Sequence, residues 1–337
     1  MTQYKLSVAV CTFNGEEYLK QQLDSILHQT RLPDEVIVCD DLSSDNTVCV
    51  LRDFEQKAPF TVKIFVNKSN LGSTKNFERA ISLCSGDLIA LADQDDLWFP
   101  SKLSKIEEIF VNNPIVSIVF TDAEIVNEFG ESLNYNLWEH IKFNKKEQEY
   151  FSSNNPSSAL QLLMRGNIVT GATICLRSSL RSLILPIPQV WIHDAWIAVV
   201  SLILAKELII YPLPEKLIKY RQHSKQQLGA KRKSTKLLLE KTLTGEHLKL
   251  NVNDIKILLD FIGKNQERDE LSFKIVGEKL NHAQQRYQIH RKSADLFSNL
   301  NIIISELLSG NYAKYSNGFP SLLADLYFTI NSIIFKQ

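Results

Sequence analysis

The chain has no excess of either charge: 38 Lys and Arg stand against 38 Asp and Glu, a formal net charge of +0. Without an overall basic field it lacks the electrostatic footprint of a nucleic-acid binder, so any charge-based specificity is local. Cysteine is sparse. Cys11, Cys39, Cys49, Cys84 and Cys175 are odd in number and contain no CxxC pair, so neither a disulfide scaffold nor a zinc finger is signalled. A reducing cytoplasmic setting fits this usage. Met1 leads straight into a strand-like segment, with no basic, apolar and small-residue succession of a secretory signal, so export is not expected. The last apolar stretch, Leu322 to Phe335, is interrupted by Asp325 and Asn331 and is shorter than the roughly 20 residues of a membrane-spanning helix. It reads either as a helix packed on the body of the protein or as an interfacial or partner-binding helix.

What remains is ordinary globular material. With 337 residues, 44% apolar and 23% charged, the chain is long enough for about two domains and excludes a disordered, collagen-like or polytopic membrane protein. Its first third alternates β-branched apolar runs (Leu6 to Phe13, Glu35 to Asp41, Val62 to Asn67, Asp87 to Asp93, Ser117 to Asp122) with helix-period segments. Asn14, with Glu17 three residues on, predicts a capped helix whose apolar stripe is Leu19, Leu23, Ile26 and Leu27. Further helices are expected over 46–56, 74–84 and 101–111. Strands joined through helices favour a largely parallel sheet covered on both faces. The polar stretch 134–158 reads as a long loop or irregular insertion. After Gly229 come a basic patch (Lys231, Arg232, Lys233, Lys236) and about a hundred residues of helical pattern, so the expected domains are 1–229 and 230–337.

In a parallel sheet the strand ends gather polar residues: Thr12 and Asn14, Asp40 and Asp41, Asp93, Asp95 and Asp96, then Asp122. Open α/β sheets bind ligands there. A single such acid can simply cap the next helix, which is the better reading of Asp45, and Asp122 reads equally as a cap or as an acceptor-facing group. The cluster Asp93-Gln94-Asp95-Asp96 sets carboxylates so close that they repel unless a hard cation relieves them; the competing reading is a solvated turn. An EF-hand is excluded, because its glycine and distal glutamate are missing.

With these residues the chain resembles the family 2 glycosyltransferases of the GT-A fold. The resemblance is carried by Ser7-Val8-Ala9-Val10-Cys11-Thr12-Phe13-Asn14-Gly15, Val38-Cys39-Asp40-Asp41-Leu42-Ser43-Ser44-Asp45-Asn46-Thr47, Asn70-Leu71-Gly72 and the Asp-Gln-Asp-Asp cluster. It continues through Ile192-His193-Asp194-Ala195-Trp196 and Tyr220-Arg221-Gln222-His223-Ser224, which look most like bacterial members that build cell-surface polysaccharides, rhamnosyltransferases included. It covers residues 4 to 229. The implied fold is an α/β, Rossmann-like mixed sheet flanked by helices, here with an α-helical C-terminal extension.

The resemblance implies site roles residue by residue. Thr12, Asn14, Asn70 and Gly72 belong to the nucleotide pocket, and Asp41 accepts from the ring N–H of a pyrimidine, although it is also readable as a turn acid. Asp93 and Asp95 match the DXD signature, with Asp93 on the ribose or metal side and Asp95 the direct ligand of Mn²⁺ or Mg²⁺. His223 is a candidate metal ligand or phosphate contact, and Arg221 a diphosphate clamp. Asp96, Trp98, His193 and Trp196 are acceptor-side candidates, each with a competing packing or supporting role. Asp194 is the expected general base, the bland alternative being an N-cap for a helix from Ala195. An aspartate is a weak base, so it takes its proton late in the transfer.

The expected activity is therefore metal-dependent, inverting transfer of a sugar from a UDP- or dTDP-sugar, dTDP-L-rhamnose among them, to a lipid-linked polysaccharide precursor. Such an acceptor would bring a cytoplasmic enzyme to the inner face of the membrane, with the basic patch and the C-terminal helices as peripheral contacts; the helices alternatively pack on the catalytic domain or make a homodimer. Two other readings compete. A sugar-nucleotide nucleotidyltransferase needs a Gly-rich basic phosphate loop that Thr12-Phe13-Asn14-Gly15 does not supply. A non-catalytic carbohydrate-binding module of the same fold should have lost the DXD acids or Asp194, and all are present.

Overall fold

The computed structural model describes residues 4–152, 156–205, 208–224, 226, 246–265, 269–290 and 295–334. The basic patch Lys231, Arg232, Lys233 and Lys236, the expected boundary at 229 and 230, and Phe335 lie outside the described residues. The chain divides into two compact units, Met1–Pro156 with Ile168–Ala230, and Ser157–Asn167 with Lys231–Gln337.

The first unit begins with β1 (Leu6–Thr12), α1 (Glu16–Leu27), β2 (Glu35–Asp40), α2 (Thr47–Lys57), β3 (Thr61–Val66), α3 (Ser73–Leu83) and β4 (Leu88–Asp93). Then follow β5 (Leu97–Trp98), α4 (Lys102–Asn112), β6 (Val116–Val126), β7 (Ser132–Asn136), α5 (Leu137–His140) and α6 (Lys145–Ser152). After α7 (Pro156–Arg165) come a 3-10 turn at Gly171–Thr173, β8 (Cys175–Arg177), α8 (Arg181–Ile184), α9 (His193–Leu204) and β9 (Ile209–Arg221). The strands form one sheet in the order β3-β2-β1-β4-β8-β6-β9-β5, with β7 beside β6.

Every residue of β1 and β2 is buried, as strands covered on both faces require. The expected parallel pairing holds across β1 to β4, where successive strands are joined through helices, and again between β6 and β9. It fails at β8, which runs antiparallel to both β4 and β6, and at β5 and β7, so the sheet is mixed. The register sets Thr12 beside Asp40 and Cys11 beside Asp93, which brings the chemistry-bearing residues to one edge of the sheet.

Two local expectations are corrected. Asn14 does not cap α1: its backbone is left-handed (φ 47), and its Oδ1 accepts from the N–H of Ser44 instead. The start of α1 is served by Asp45, whose Oδ2 accepts from Glu16 N–H while its Oδ1 accepts from Thr47 N–H at the start of α2. Glu16 returns the contact by accepting from Asn46 N–H. The stretch 134–158 is not an irregular loop. Its isolated aromatics are anchors, since Trp138, Phe143 and Phe151 surround Phe120 of β6 at centroid distances of 5.6, 5.7 and 5.7 Å. A capping box from Asn136 and Glu139 and an N–H from Trp138 to Asp122 fix α5, so Asp122 is a structural cap.

The second unit comprises α7 from Ser157 onward and α10 (Glu246–Gly263), α11 (Glu270–Ile289), α12 (Leu296–Leu308), α13 (Asn311–Tyr315) and α14 (Phe319–Ile334). Asp269 and Asp295 cap α11 and α12 by accepting from Ser272 and Ser298 N–H. Ile289, Ile303, Tyr312 and Leu322 form its apolar core. Beside them lies a buried polar network. Asp325 is fully buried and accepts two bonds from Arg286 (2.7 and 2.8 Å), one from the Tyr312 hydroxyl (2.8 Å), and pairs with His290 Nε2 at 3.0 Å. Asp325 thus interrupts the apolar run because it faces inward, while Leu323, Tyr327 and Ile330 face solvent. No helix among the described residues is long and apolar enough to cross a membrane.

Candidate active site

Three loops at the carboxyl ends of β1, β2 and β3 interlock into one wall. Thr12 is buried and donates its hydroxyl to Asp40 Oδ2 at 2.7 Å, and Asp40 also accepts from Ser43 N–H and hydroxyl. Asn14 donates N–H to Ser43 Oγ, closing β1 onto the β2 loop. Asp41 is buried and already occupied: Oδ1 accepts from Asn67 Nδ2 (2.7 Å) and Leu71 N–H (2.7 Å), and Oδ2 from Gly72 N–H (2.8 Å). The Asp41 carboxylate anchors the 70–72 turn. Asn70 donates to Asp41 O, and Gly72 adopts a positive φ of 81° that favours glycine.

The acid turn follows β4. Gln94 makes a two-bond amide pair with the backbone of Phe13, Oε1 accepting from N–H (2.8 Å) and Nε2 donating to O (3.0 Å). A Cβ at position 15 would overlap the Gln94 amide, so Gly15 is needed for this approach. Asp93 is half-buried, and burial together with the carboxylates of Asp95 and Asp194 pushes it up to about 7, against the pull of Lys102. Asp96 is fully buried: Oδ1 accepts from Arg221 N–H at 3.1 Å, and Oδ2 meets no donor among the described residues. Burial and then Asp95 and Asp93 raise it well above the carboxylate range. Its acceptor-side assignment is corrected, since it sits beneath the turn.

Asp95 Oδ2 lies 2.7 Å from His223 Nε2, so the two groups pair directly with each other. Among the described residues no group of three or more His, Cys, Asp or Glu converges as a metal cage. A pair of one carboxylate and one imidazole nevertheless fits Mn²⁺ or Mg²⁺, which commonly complete their shells with substrate phosphate and water. Arg221 departs from its expected role. It is 1% exposed, and its guanidinium donates to Asp95 O, Glu128 O and Gln21 Oε1 above the Tyr18 ring, so it braces the acid turn rather than offering a free diphosphate clamp.

Asp194 stands opposite, in the first turn of α9. It is not the N-cap, because the helix already begins at His193. Its Oδ2 accepts from Gly171 N–H at 2.9 Å and its Oδ1 from Ala195 N–H at 2.6 Å, which orients the carboxylate. Asp95 and Asp194 both act electrostatically on Asp93, and all of these acids on Tyr220. His193 is buried and stacks on Phe77 at 4.1 Å, with neither ring nitrogen hydrogen-bonded among the described residues; burial lowers its pKa, against the pull of Asp194.

Both tryptophan assignments are corrected. Trp196 is fully buried, donates Nε1 to Ile184 O and meets Trp191 edge-on. Trp98 is buried, and one face carries the Lys102 ammonium 3.8 Å from the ring centroid. Neither indole is open to a sugar. Sequence reasoning missed Gln94, Lys102 and Gly171. Gln94 lay inside the acid motif, and Lys102 followed it at a helix start; Gly171 carried no signal, because its importance is a contact with distant residues.

The sequence profile of Glycosyl transferase family 2 matches residues 7–166, so this part of the chain is similar to that family. Among curated relatives, the dTDP-rhamnosyl transferase RfbG of Shigella flexneri is 35% identical over 119 residues, covering 34% of this chain and 38% of the relative. The Escherichia coli UDP-Glc:alpha-D-GlcNAc-diphosphoundecaprenol beta-1,3-glucosyltransferase WfgD is 30% identical over 146 residues, covering 43% of this chain and 56% of the relative. The chain thus aligns with a third to about half of these proteins. Among solved structures, S. aureus TarS 1-349 in complex with UDP superposes with a TM-score of 0.54 at 14% identity, covering 99% of this chain and 92% of that one. The mannosyltransferase PcManGT from Pyrobaculum calidifontis, in complex with GDP-Man and Mn2+, gives 0.50 at 13%, covering 99% and 87%. Both likenesses are of fold: the chain has the GT-A architecture.

Proposed function

We propose that the chain is an inverting glycosyltransferase that moves a sugar from a UDP- or dTDP-sugar to a hydroxyl of a lipid-linked polysaccharide precursor. The observation that carries this reading is the juxtaposition of Asp93, Asp95 and Asp194 around one site beside the β1 and β2 loops. The pyrimidine donor is supported by the names of RfbG and WfgD, and the lipid-diphosphate acceptor by that of WfgD. The nucleotide would lie along the wall built from Thr12, Asn14 and the Asn70–Gly72 turn.

Asp95 and His223 would hold Mn²⁺ or Mg²⁺, with Asp93 alongside; the manganese complex of PcManGT supports this choice of ion. Such an ion supplies charge neutralisation for a departing diphosphate. The chain's own residues provide the rest. Arg221 and Gln94 hold the acid turn rigid, so no reorganisation is required as charge develops. Asp194, oriented by Gly171 and Ala195 N–H, accepts the proton of the attacking hydroxyl. The new C–O bond forms at the anomeric carbon as the bond to the β-phosphate oxygen breaks, and the electron pair leaves with the nucleoside diphosphate. One displacement inverts the centre. The unsatisfied ring of His193 beside Asp194 supports an acceptor hydroxyl binding there.

The test is release of nucleoside diphosphate from a panel of UDP- and dTDP-sugars with a lipid-diphosphate glycan acceptor. Pyrophosphate as the product, or no release from any donor, would overturn the reading.

A further inference from the structure

Lys102 is a buried cation that the mechanism above leaves without a task. Its side chain is 0% exposed at the first residue of α4, six positions after Asp96. Nζ donates to Ala172 O at 2.8 Å and lies 3.8 Å from the Trp98 ring centroid. No carboxylate among the described residues comes within ion-pair distance of it; burial pulls its pKa down to about 7, against the more distant pull of Asp96 and Asp93. A buried ammonium is costly to keep, so its presence calls for a partner that uses it.

The partner of the ammonium explains its presence. Ala172 is the middle residue of the 3-10 turn Gly171–Thr173, and the N–H of Gly171 in that turn donates to Asp194 Oδ2. The far end of the turn is tied to β4, since Ile174 O accepts from Leu91 N–H. Lys102 itself follows directly on the acid turn and β5. A single covalent and hydrogen-bonded path therefore runs from Asp95 and Asp96 through Trp98 and Lys102 to Ala172, Gly171 and Asp194. It bridges the side of the site that faces the leaving group and the side that faces the attacking hydroxyl.

We infer that Lys102 is a positioning residue: by pinning the Ala172 carbonyl it fixes the Gly171–Thr173 turn, and through it the carboxylate of Asp194, at a set separation from the acid turn after β4. The assignment of Asp194 as base comes from the proposed function; the tether itself does not depend on it. A misplacement of about 1 Å at such a group can lower a rate about 10²-fold.

The test uses the full chain with Lys102→Met, which removes charge and donor, and Lys102→Gln, which keeps an N–H donor without the charge. Amide exchange of Gly171 and Thr173 is followed by NMR, and nucleoside diphosphate release by steady-state kinetics. In Lys102→Met the Gly171 amide should exchange at least tenfold faster and kcat should fall at least thirtyfold, with donor KM within threefold of the parent. Lys102→Gln should recover at least a third of the lost protection. Unchanged Gly171 exchange in both variants overturns the inference whatever the activity. If the parent turns over and Lys102→Met keeps its kcat, the tether is irrelevant to transfer; if the parent releases diphosphate from no donor, the proposed function fails while the exchange result still decides the tether.

Discussion

Nε2 of His223 lies 2.7 Å from Oδ2 of Asp95 across 128 residues of sequence. The two are brought together by β9, whose last residue, Arg221, reaches under the acid turn while its neighbour two positions on closes over it. The Tyr18 ring of α1 lies tilted against the imidazole, with centroids 4.7 Å apart, and completes the packing. The pair proposed above to hold the cation is thereby kept together by packing from α1 and β9.

Asp95→Ala and His223→Ala should each weaken Mn²⁺-dependent nucleoside diphosphate binding at least tenfold, about 1.4 kcal/mol or more. Isothermal titration with UDP or dTDP in the presence and absence of Mn²⁺ measures this. Affinity that remains metal-dependent and unaltered in both variants would remove the pair from the ion's shell.

Asp194→Asn should lower transfer by about 10²–10⁴-fold, the usual contribution of a positioned base. Donor binding should stay within threefold, because the asparagine oxygen can still accept from Gly171 N–H. Steady-state rates paired with donor titration separate the two effects.

Gly171→Ala tests the packing behind that base. Its new Cβ would lie 2.6 Å from Nε2 of His193, whose ring is buried and stacked on Phe77. Overpacking of this kind costs about 1–3 kcal/mol. A lowered melting temperature with a loss of transfer is expected; parental values for both would show that the ring moves freely.

The helical unit should be acid-sensitive. Burial alone would raise Asp325, but the bonds from Arg286 and His290 outweigh it and hold the carboxyl below its usual range. Its folded pKa is depressed, so its stabilisation is complete above about pH 4, the unfolded value, and fades as pH falls below that. Burial, against the pull of Glu306, lowers His282, so the folded state also resists protonation there and stability begins to fall below about pH 6.5. Asp325→Ala should cost about 3–5 kcal/mol, since it strands a buried guanidinium. Urea unfolding monitored between pH 7 and pH 3 gives both results; a flat profile would contradict the network.

The parallel half of the sheet and its acid-bearing edge were legible because β1 to β4 alternate with helices and their apolar runs stop at polar residues. The antiparallel strands were not, since β8 spans Cys175–Arg177 and is defined by partners distant in sequence. The roles proposed for Asp93, Asp95, Asp194 and His223 rest on motif, and motif says nothing about solvent access. Trp98, Trp196 and Arg221 were misread for that reason: each has the right chemistry for ligand contact, and each spends it on the protein. That Asp41 anchors the turn after β3 was not legible, because its three internal donors come from that loop, whose conformation only the folded chain reveals.

The amide of Gln94 occupies the position of a missing rung between β1 and β4, bonded to Phe13 at both ends of its peptide-like group. Any displacement of the first loop must therefore be transmitted to Asp93 and Asp95, and the reverse holds as well. A nucleotide settling on one would stiffen the other, which predicts that base contacts and cation affinity rise or fall together when either side is altered.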